Sequence, residues 1–254
     1  MSRRSSISSD SSSEQSSIIR IDHSLAHSHL MRGSELQGTK EIPIKNIDDL
    51  QVPDDKFGHT LLLCGSTRSG KTTLLNYLYQ QHHKGKAITT LMSNSLNSDA
   101  YDYIKRFAIL SDLYHPELLK DMYNINHQTQ NHYRFTVILD DLTNIKNCKE
   151  YRRLLTIYRN SRISGIVSAQ GISMFDKTCR GNINFVFLGR LNSDAEVEKV
   201  IKEYLLSYFP KSMKFAEKIA YYRHLTSDHW WIVIDQVNGD VFRTKLRPEQ
   251  MLND

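Results

Sequence analysis

Glycines followed by a lysine and a threonine, at a spacing suited to phosphate binding, form the clearest chemical pattern in the sequence. Residues 65–72 read GSTRSGKT and match G-x-x-x-x-G-K-[ST] at every required position. The glycines allow backbone N–H groups to point at phosphate oxygens, Lys71 can reach the β- and γ-phosphates, and Thr72 offers its hydroxyl to Mg²⁺. An amphipathic helix pattern follows, and its N-terminus attracts the same anion. These features predict a phosphate-binding loop.

The loop and the first helical turn after it supply the predicted nucleotide-binding residues. They are Gly65, Ser66, Thr67, Arg68, Ser69, Gly70, Lys71, Thr72 and Thr73. Among them, Arg68 is the residue whose role the pattern does not define. The Asn/Thr-Lys-x-Asp tetrapeptide that is typical of guanine-specific proteins does not occur in the sequence. We therefore expect the nucleotide to be ATP, with Mg²⁺ as its metal ion.

Two adjacent carboxylates end a second apolar run. Residues 135–141, FTVILDD, predict a buried strand that ends at Asp140, which would complete the shell of Mg²⁺ together with Thr72. Asp141 lies one residue further on and is suited to orient an attacking water. Because one carboxylate serves the metal and the other is left for the water, the pair favours hydrolysis over binding alone.

Two more residues are candidates for catalysis. Gln170 ends the apolar run SGIVSAQ, and it would sense the γ-phosphate if that strand lay between the loop strand and the Asp140 strand; otherwise it is a polar residue at a strand end. Arg159 precedes the same run and could act on the site of a neighbouring subunit, where an arginine stabilises the charge of phosphoryl transfer. Arg162 and Arg190 are weaker candidates for this role.

Composition limits the remaining possibilities. The chain has 254 residues and a formal charge of +5, which is compatible with a nucleic-acid partner without requiring one. Residues 149–162 contain five basic residues and one acidic residue, so this helix either follows a DNA backbone or is a solvated face. The three cysteines lack the spacing of a zinc site or a disulfide framework. No apolar stretch is long enough to span a membrane.

The chain is predicted to contain a tail and one domain. Ten of the first 17 residues are serine, so we expect residues 1–40 to be a disordered tail and residues 41–254 to form the domain. Within the domain, short apolar runs alternate with helical patterns, which predicts an α/β fold with a mostly parallel sheet and helices on both faces. Two amphipathic helices follow, and residues 229–246 predict a closing β-hairpin with its turn at Asn238-Gly239.

The segments GSTRSGKTT, FTVILDDL and YRNSRISGIVSAQ together resemble the genome-packaging ATPases of large nucleocytoplasmic DNA viruses and virophages, a branch of the FtsK/HerA superfamily. The resemblance covers roughly residues 57–190. Arg159 and Gln170 match the third motif of that branch. Asn160 stands where histidine is common, and Asp141 stands where the wider superfamily has glutamate.

This resemblance implies a RecA-like P-loop NTPase that assembles into a ring of five or six subunits. Such a ring would use ATP to move double-stranded DNA into a preformed capsid, with a capsid or portal-vertex protein as partner. It would work in the cytoplasm of the host cell, in viral factories, and could be part of the virion.

Two other classes of protein use the same loop. A nucleoside or nucleotide kinase would need an acceptor pocket and an arginine-rich lid, and no separate lid segment is visible in the sequence. A nucleotide-gated adaptor would bind and switch with little turnover, and the Asp140-Asp141 pair argues against it.

Overall fold

Short apolar strands separated by helices assemble into a single sheet. The structure is a computed structural model that describes residues 39–53, 56–142, 145 and 148–251. The strands of this part are β1 (Thr60–Cys64), β2 (Ile88–Ser93), β3 (Ala108–Ser111), β4 (Phe135–Asp140), β5 (Ile163–Ala169), β6 (Phe185–Leu188), β7 (Trp231–Asp235) and β8 (Asp240–Thr244). Their order in the sheet is β3-β2-β4-β5-β1-β6-β7-β8.

Helices and single helical turns connect the strands. The α-helices of the described residues are α1 (Lys71–His82), α2 (Asp102–Lys105), α3 (Pro116–Gln128), α4 (Lys149–Thr156), α5 (Lys177–Arg180), α6 (Asp194–Val200) and α7 (Phe215–Leu225). A π-helical turn, Ile201–Leu205, continues α6. The 3₁₀ turns are Ile47–Asp49, Asp99–Tyr101, Tyr158–Ser161, Ile172–Met174, Leu206–Tyr208 and Pro248–Gln250.

Strand direction divides the sheet into a parallel part and a closing hairpin. The six strands from β3 to β6 run parallel, whereas β7 and β8 run antiparallel to their neighbours. The last residues of β1, β4, β5 and β6 therefore lie at one edge of the sheet, which we call the carboxyl edge. The opposite edge, where these strands begin, is the amino edge. Ligands of such sheets bind beyond the carboxyl ends of the strands.

Apolar side chains on both faces of the central strands form the core. Leu61, Leu62 and Leu63 in β1 are fully buried, as expected for a strand covered on both faces. Helix α1 packs on one face through Leu74, Leu75 and Leu78, the residues that its periodicity predicts to face inward. Helix α4 lies on the other face, where the side chain of Leu154 packs against Gly165 in β5. The helices thus form two layers with the sheet between them.

The predicted fold class is confirmed, and one strand was missed. The structure has the mostly parallel sheet, the helices on both faces and the C-terminal hairpin, whose Gly239 has a φ of +76°. Strand β3 was not predicted, because it is four residues long and lies at the end of the sheet with much of its side-chain surface exposed. The predicted helix over residues 149–160 ends earlier, and its last turn is 3₁₀.

Residues from the two ends of the domain pair with each other beyond β8. Ile44 forms a parallel bridge with Arg243, and Lys45 forms an ion pair with Asp240 at 2.9 Å. Asp48 accepts hydrogen bonds from Tyr77 in α1 and from Arg247, the latter at 3.0 Å. One carboxylate thus ties the start of the domain to its first helix and to its last residues.

Apart from residues 39 and 40, the predicted tail lies outside the described residues. Among the helices of the described part, none combines the length and apolar composition needed to cross a membrane.

Just before β1, the backbone of Gly58 lies close to the backbone at the start of β5, and this contact should matter for stability. The N–H of Gly58 donates to the carbonyl of Arg159 at 2.7 Å, and a Cβ added at Gly58 would lie 2.3 Å from the carbonyl oxygen of Ile163. Because backbone has to move to relieve this contact, we expect Gly58→Ala to lower the free energy of unfolding by about 2 kcal/mol.

Urea denaturation would measure this change. Gly181→Ala is the matched control, since a Cβ there meets its nearest atom at an ordinary 3.5 Å. Equal stability of the two variants would contradict the argument.

Candidate nucleotide-binding site

The phosphate-binding loop leaves the carboxyl edge between the ends of two neighbouring strands. The N–H of Gly65 donates to the carbonyl of Ala169 at 3.0 Å, and the N–H of Ser66 donates to the carbonyl of Arg190 at 2.8 Å. The hydroxyl of Ser66 accepts from the N–H of Asn192 at 2.9 Å. The loop is therefore fixed by the last residue of β5 and by residues that follow β6, and not only by its own turn.

Backbone conformation winds the loop into its compact shape. Arg68 and Gly70 have φ values of +63° and +90°, in the left-handed region that side chains disfavour. A Cβ at Gly65 would lie 2.5 Å from the hydroxyl of Ser69, so glycine is needed there for space. A turn of this kind gathers consecutive N–H groups into a concave anion-binding surface.

Lys71 lies folded over the loop. It is 9% exposed, and its Nζ donates to the carbonyls of Gly65 at 2.8 Å and Ser66 at 3.0 Å. Burial lowers the pKa of this ammonium, while the carboxylates of Asp140 and Asp141 oppose that shift. The ammonium is thus held at the mouth of the loop, where it can reach a phosphate.

Asp140 is a buried carboxylate with three hydroxyl neighbours. It is 2% exposed; Tyr101 donates to Oδ2 at 2.6 Å, Ser168 donates to Oδ1, and Thr72 lies 3.5 Å from Oδ2. The hydroxyl of Ser93 lies 3.1 Å from that of Tyr101. Burial raises the pKa of Asp140, and the hydrogen bond from Tyr101 lowers it. The hydroxyls therefore favour the charged form that a metal ion requires.

Tyr101, Ser93 and Ser168 were not identified from the sequence. Ser93 stands directly opposite Asp140 in the register of β2 and β4, and Ser168 comes from β5 on the other side. These two serines could be recognised as neighbours of Asp140 only from the strand order, which the sequence did not define. Tyr101 belongs to a turn between strands, and it carries no motif of its own.

Asp141 follows Asp140 but faces a different environment. Its φ is +56°, its side chain is exposed, and its carbonyl accepts from Nδ2 of Asn94 at 3.2 Å. The left-handed conformation turns the chain immediately after the buried carboxylate. The two acidic residues are therefore brought to the same edge with distinct surroundings, one buried and one open to solvent.

Gln170 follows a strand that lies between the loop strand and the Asp140 strand, which is the condition for a role as γ-phosphate sensor. It directly follows β5, which is inserted between β1 and β4, and it is exposed at the carboxyl edge. The loop, Asp140 and Gln170 are thus contributed by three adjacent strands. Gln170 as a γ-phosphate sensor stays a prediction.

Arg159 is not brought together with the other candidates. It lies in the 3₁₀ turn before β5, so the seven residues of that strand, about 20 Å at roughly 3.3 Å each, separate it from the loop. Its Nη1 donates to the carbonyl of Asn182 at 3.4 Å. Arg162 also lies at the amino edge, whereas Arg190 lies beside the loop. Arg159 therefore cannot reach the loop of its own chain.

The donor set fits a magnesium ion. The hydroxyl of Thr72 and the carboxylate of Asp140 are hard oxygen donors that converge beside the loop, and oxygen donors are those that Mg²⁺ prefers. Both were predicted as metal-binding residues, and this assignment stays a prediction.

Known proteins resemble this chain in sequence and in structure. The sequence model of the Poxvirus A32 protein family matches residues 51–244. The comparison with curated proteins finds no match. Three solved structures illustrate the structural similarity.

The genome packaging NTPase B204 of Sulfolobus turreted icosahedral virus 2, in complex with AMP, superposes with a TM-score of 0.56 at 13% identity, over 75% of this chain and 98% of that one. The pCW3 conjugation coupling protein TcpA with ATPγS gives a TM-score of 0.55 at 13% identity, over 84% and 67%. EssC (ATPases 2 and 3) of Geobacillus thermodenitrificans gives 0.54 at 12% identity, over 84% and 44%.

A glycine-rich loop after a central strand, a carboxylate two strands away and a further strand between them define a P-loop NTPase with a RecA-like α/β fold. Since the family model spans more than half of the sequence, the chain belongs to the Poxvirus A32 protein family. The predicted resemblance to the genome-packaging ATPases of the FtsK/HerA type is confirmed.

The hydrogen bond from Tyr101 to Asp140 should affect how hydrolysis depends on Mg²⁺. Tyr101→Phe removes one donor from the carboxylate, which leaves its orientation less defined and raises its pKa further. We expect the Mg²⁺ concentration for half-maximal NTP hydrolysis to rise about tenfold, the equivalent of one hydrogen bond to a charged group. The acid limb of the pH–rate profile should move to higher pH.

Tyr103→Phe is the matched control, because its buried hydroxyl has no hydrogen-bond partner among the described residues. The same Mg²⁺ requirement in both variants would show that Tyr101 does not position Asp140.

Proposed function

We propose that this chain is a Mg²⁺-dependent ATPase motor that translocates double-stranded viral DNA into a preformed capsid. The observation that carries the proposal is the arrangement of the loop, Asp140, Asp141 and Gln170 on three adjacent strands at one edge of the sheet. Family membership and the structural similarity to packaging NTPase B204 support it. B204 structures with AMPPCP and ATPγS support ATP as the nucleotide.

The loop, the two adjacent carboxylates and Gln170 each have a role in the proposed hydrolysis. The loop N–H groups and Lys71 bind the phosphates, and Thr72 and Asp140 would hold Mg²⁺, whose charge offsets that of the β- and γ-phosphates. Asp141, exposed beside the buried carboxylate, orients the water that attacks the γ-phosphorus. Gln170, which directly follows β5 at the same edge, contacts the γ-phosphate and signals its loss.

Arg159 is proposed to act on the site of a neighbouring subunit. Its place at the amino edge separates it from its own loop by the length of β5, so a catalytic role requires another copy of the chain. A homo-oligomeric ring of five or six subunits would present this edge of one subunit to the loop of the next. The capsid or portal-vertex protein is the proposed docking partner, and the cytoplasm of the infected cell and the virion are the proposed locations.

The basic segment 149–162 is a weaker candidate for DNA contact than its composition implies. Arg152 forms an ion pair with Asp176 at 2.9 Å, and Arg153 pairs with Glu150 at 3.4 Å. The guanidinium of Arg153 also stacks on the rings of Tyr123 and Tyr158. Much of the charge of this helix is therefore engaged within the protein, and the proposal assigns no DNA contact to it.

Hydrolysis by the wild-type protein and by Asp141→Asn provides the first test. We expect double-stranded DNA to raise the wild-type rate of ATP hydrolysis. Asp141→Asn should lower the rate about 100-fold or more with little change in ATP affinity, because the side chain acts on the water and not on the nucleotide. Steady-state phosphate release and equilibrium ATP binding would measure the two effects.

The other classes of protein give different results in the same assays. Phosphoryl transfer to nucleosides, indifferent to DNA, would indicate a kinase and overturn the motor. Tight ATP binding with no turnover, with or without DNA, would indicate an adaptor.

Mixed subunits test the role of Arg159. Arg159→Ala and Asp141→Asn should each be nearly inactive alone, since an arginine acting in trans contributes roughly 10³ to 10⁵ in rate. A mixture should recover part of the activity, because some interfaces pair an intact arginine with an intact Asp141. Arg162→Ala, which changes another arginine of the amino edge, is the control and should be active alone. No recovery at any mixing ratio would remove the trans role.

A further inference from the structure

A cavity opens beside the phosphate-binding loop on the side away from Asp140. Its volume is about 300 Å³, and it lies at the carboxyl edge between the loop and the ends of the closing hairpin. The residues that line it are Arg68, Ser69, Arg190, Thr226, Asp228, His229 and Lys245. Two of them, Arg68 and Ser69, belong to the loop itself, so the cavity adjoins the phosphate site.

Strand order determines which way a bound nucleotide must point. In the sheet, β4 with Asp140 lies on one side of the loop strand β1, and β6, β7 and β8 lie on the other. Residues that follow β6, precede β7 and follow β8 contribute to the cavity. If the γ-phosphate lies near Lys71 and Asp140, the nucleoside leaves the loop toward β6 and β7. The cavity lies in that direction.

The segment before β7 adopts an unusual conformation at this place. Asp228 and His229 are consecutive non-glycine residues with φ values of +50° and +61°. Such residues are uncommon in the left-handed region, and strain of this kind tends to be kept at ligand sites. The N–H of Trp230 closes the turn by donating to the carbonyl of Ser227 at 3.0 Å. The turn holds His229 against the loop.

The contacts of His229 define what its ring can offer. Nδ1 lies 3.3 Å from the carbonyl oxygen of Ser69, and also 3.3 Å from where a Cβ on Gly70 would lie. Because a carbonyl only accepts, Nδ1 carries the proton in this contact, and Nε2 of the neutral ring is an acceptor. A ribose hydroxyl or a base amino group can donate to it. The flat ring also offers a face on which a base can stack.

We propose that this cavity receives the ribose and base of the nucleotide, and that His229 is the residue that contacts them. The inference rests on the proposed nucleotide binding and extends it to the nucleoside half. Arg68 and Arg190 lie on the loop side of the cavity, where their positive charge suits the phosphate end of the same ligand. Lys245 follows β8 on the far side, and Asp228 adds one carboxylate to the lining. This arrangement also gives Arg68 a place facing the ligand and not only the solvent.

Comparing two ligands separates contact with the nucleoside from shaping of the loop. Mg·ATP has a nucleoside and Mg·tripolyphosphate has none, while both offer a phosphate chain to the loop. His229→Asn removes the ring and keeps a residue that tolerates positive φ. We expect this variant to bind Mg·ATP about tenfold more weakly, whereas its affinity for Mg·tripolyphosphate stays within about twofold of wild type. Isothermal titration calorimetry would measure both.

The control and a second variant keep the test decisive. His132→Asn changes an exposed histidine just before β4, at the amino edge, and should bind both ligands as wild type does. Lys245→Ala alters the cavity without touching the strained turn, and it should also weaken ATP more than tripolyphosphate.

Three outcomes would overturn the inference or what it rests on. Equal weakening of both ligands by His229→Asn would show that His229 only shapes the loop. Unchanged ATP affinity in both cavity variants would place the nucleoside elsewhere. Failure of the wild-type protein to bind either ligand would instead overturn the proposed nucleotide binding itself.

Discussion

Burial of the Asp140 carboxylate is the constraint on which the rest of the site depends. A charge with 2% exposure loses nearly all contact with water, and it is stable only when hydrogen bonds and opposite charge replace that contact. Tyr101, Ser168 and Thr72 supply hydroxyls, and the ammonium of Lys71 supplies charge. These groups come from separate elements that must all be in register before the carboxylate is satisfied. The position of this carboxylate thus depends on two strands, one turn and the first helix together.

The sequence predicted the parts of this structure that depend on local chemistry. The motif already requires glycine at positions 65 and 70, where the structure shows a lack of space and a positive φ, respectively. Apolar periodicity located β1, α1, β4 and the closing hairpin. Strand order could not be predicted, because hydrophobic runs show that strands are buried and not which strands are neighbours. The position of Gln170 and the roles of Ser93 and Ser168 depended on that order.

Other features were missed for different physical reasons. Strand β3 is too short and too exposed to produce a periodic apolar signal. Tyr101 and His229 lie in turns. Their contacts, with Asp140 and with the carbonyl of Ser69, form only when the folded chain brings distant residues together. Arg159 was correctly seen as a residue near β5, but only the direction of that strand reveals that it lies far from the loop of its own chain.

The pairing of the two ends of the domain has a consequence for synthesis. Ile44 bridges Arg243, and Arg247 donates to Asp48, so contacts between residues about 200 positions apart close the structure. Contacts this distant in sequence form late and slow folding, because a long loop must close before they stabilise anything. A chain still emerging from the ribosome can build the central strands around the loop but cannot complete this closure. The edge beyond β8 therefore matures only after residues 243–247 have left the ribosome, and it is exposed to mispairing until then.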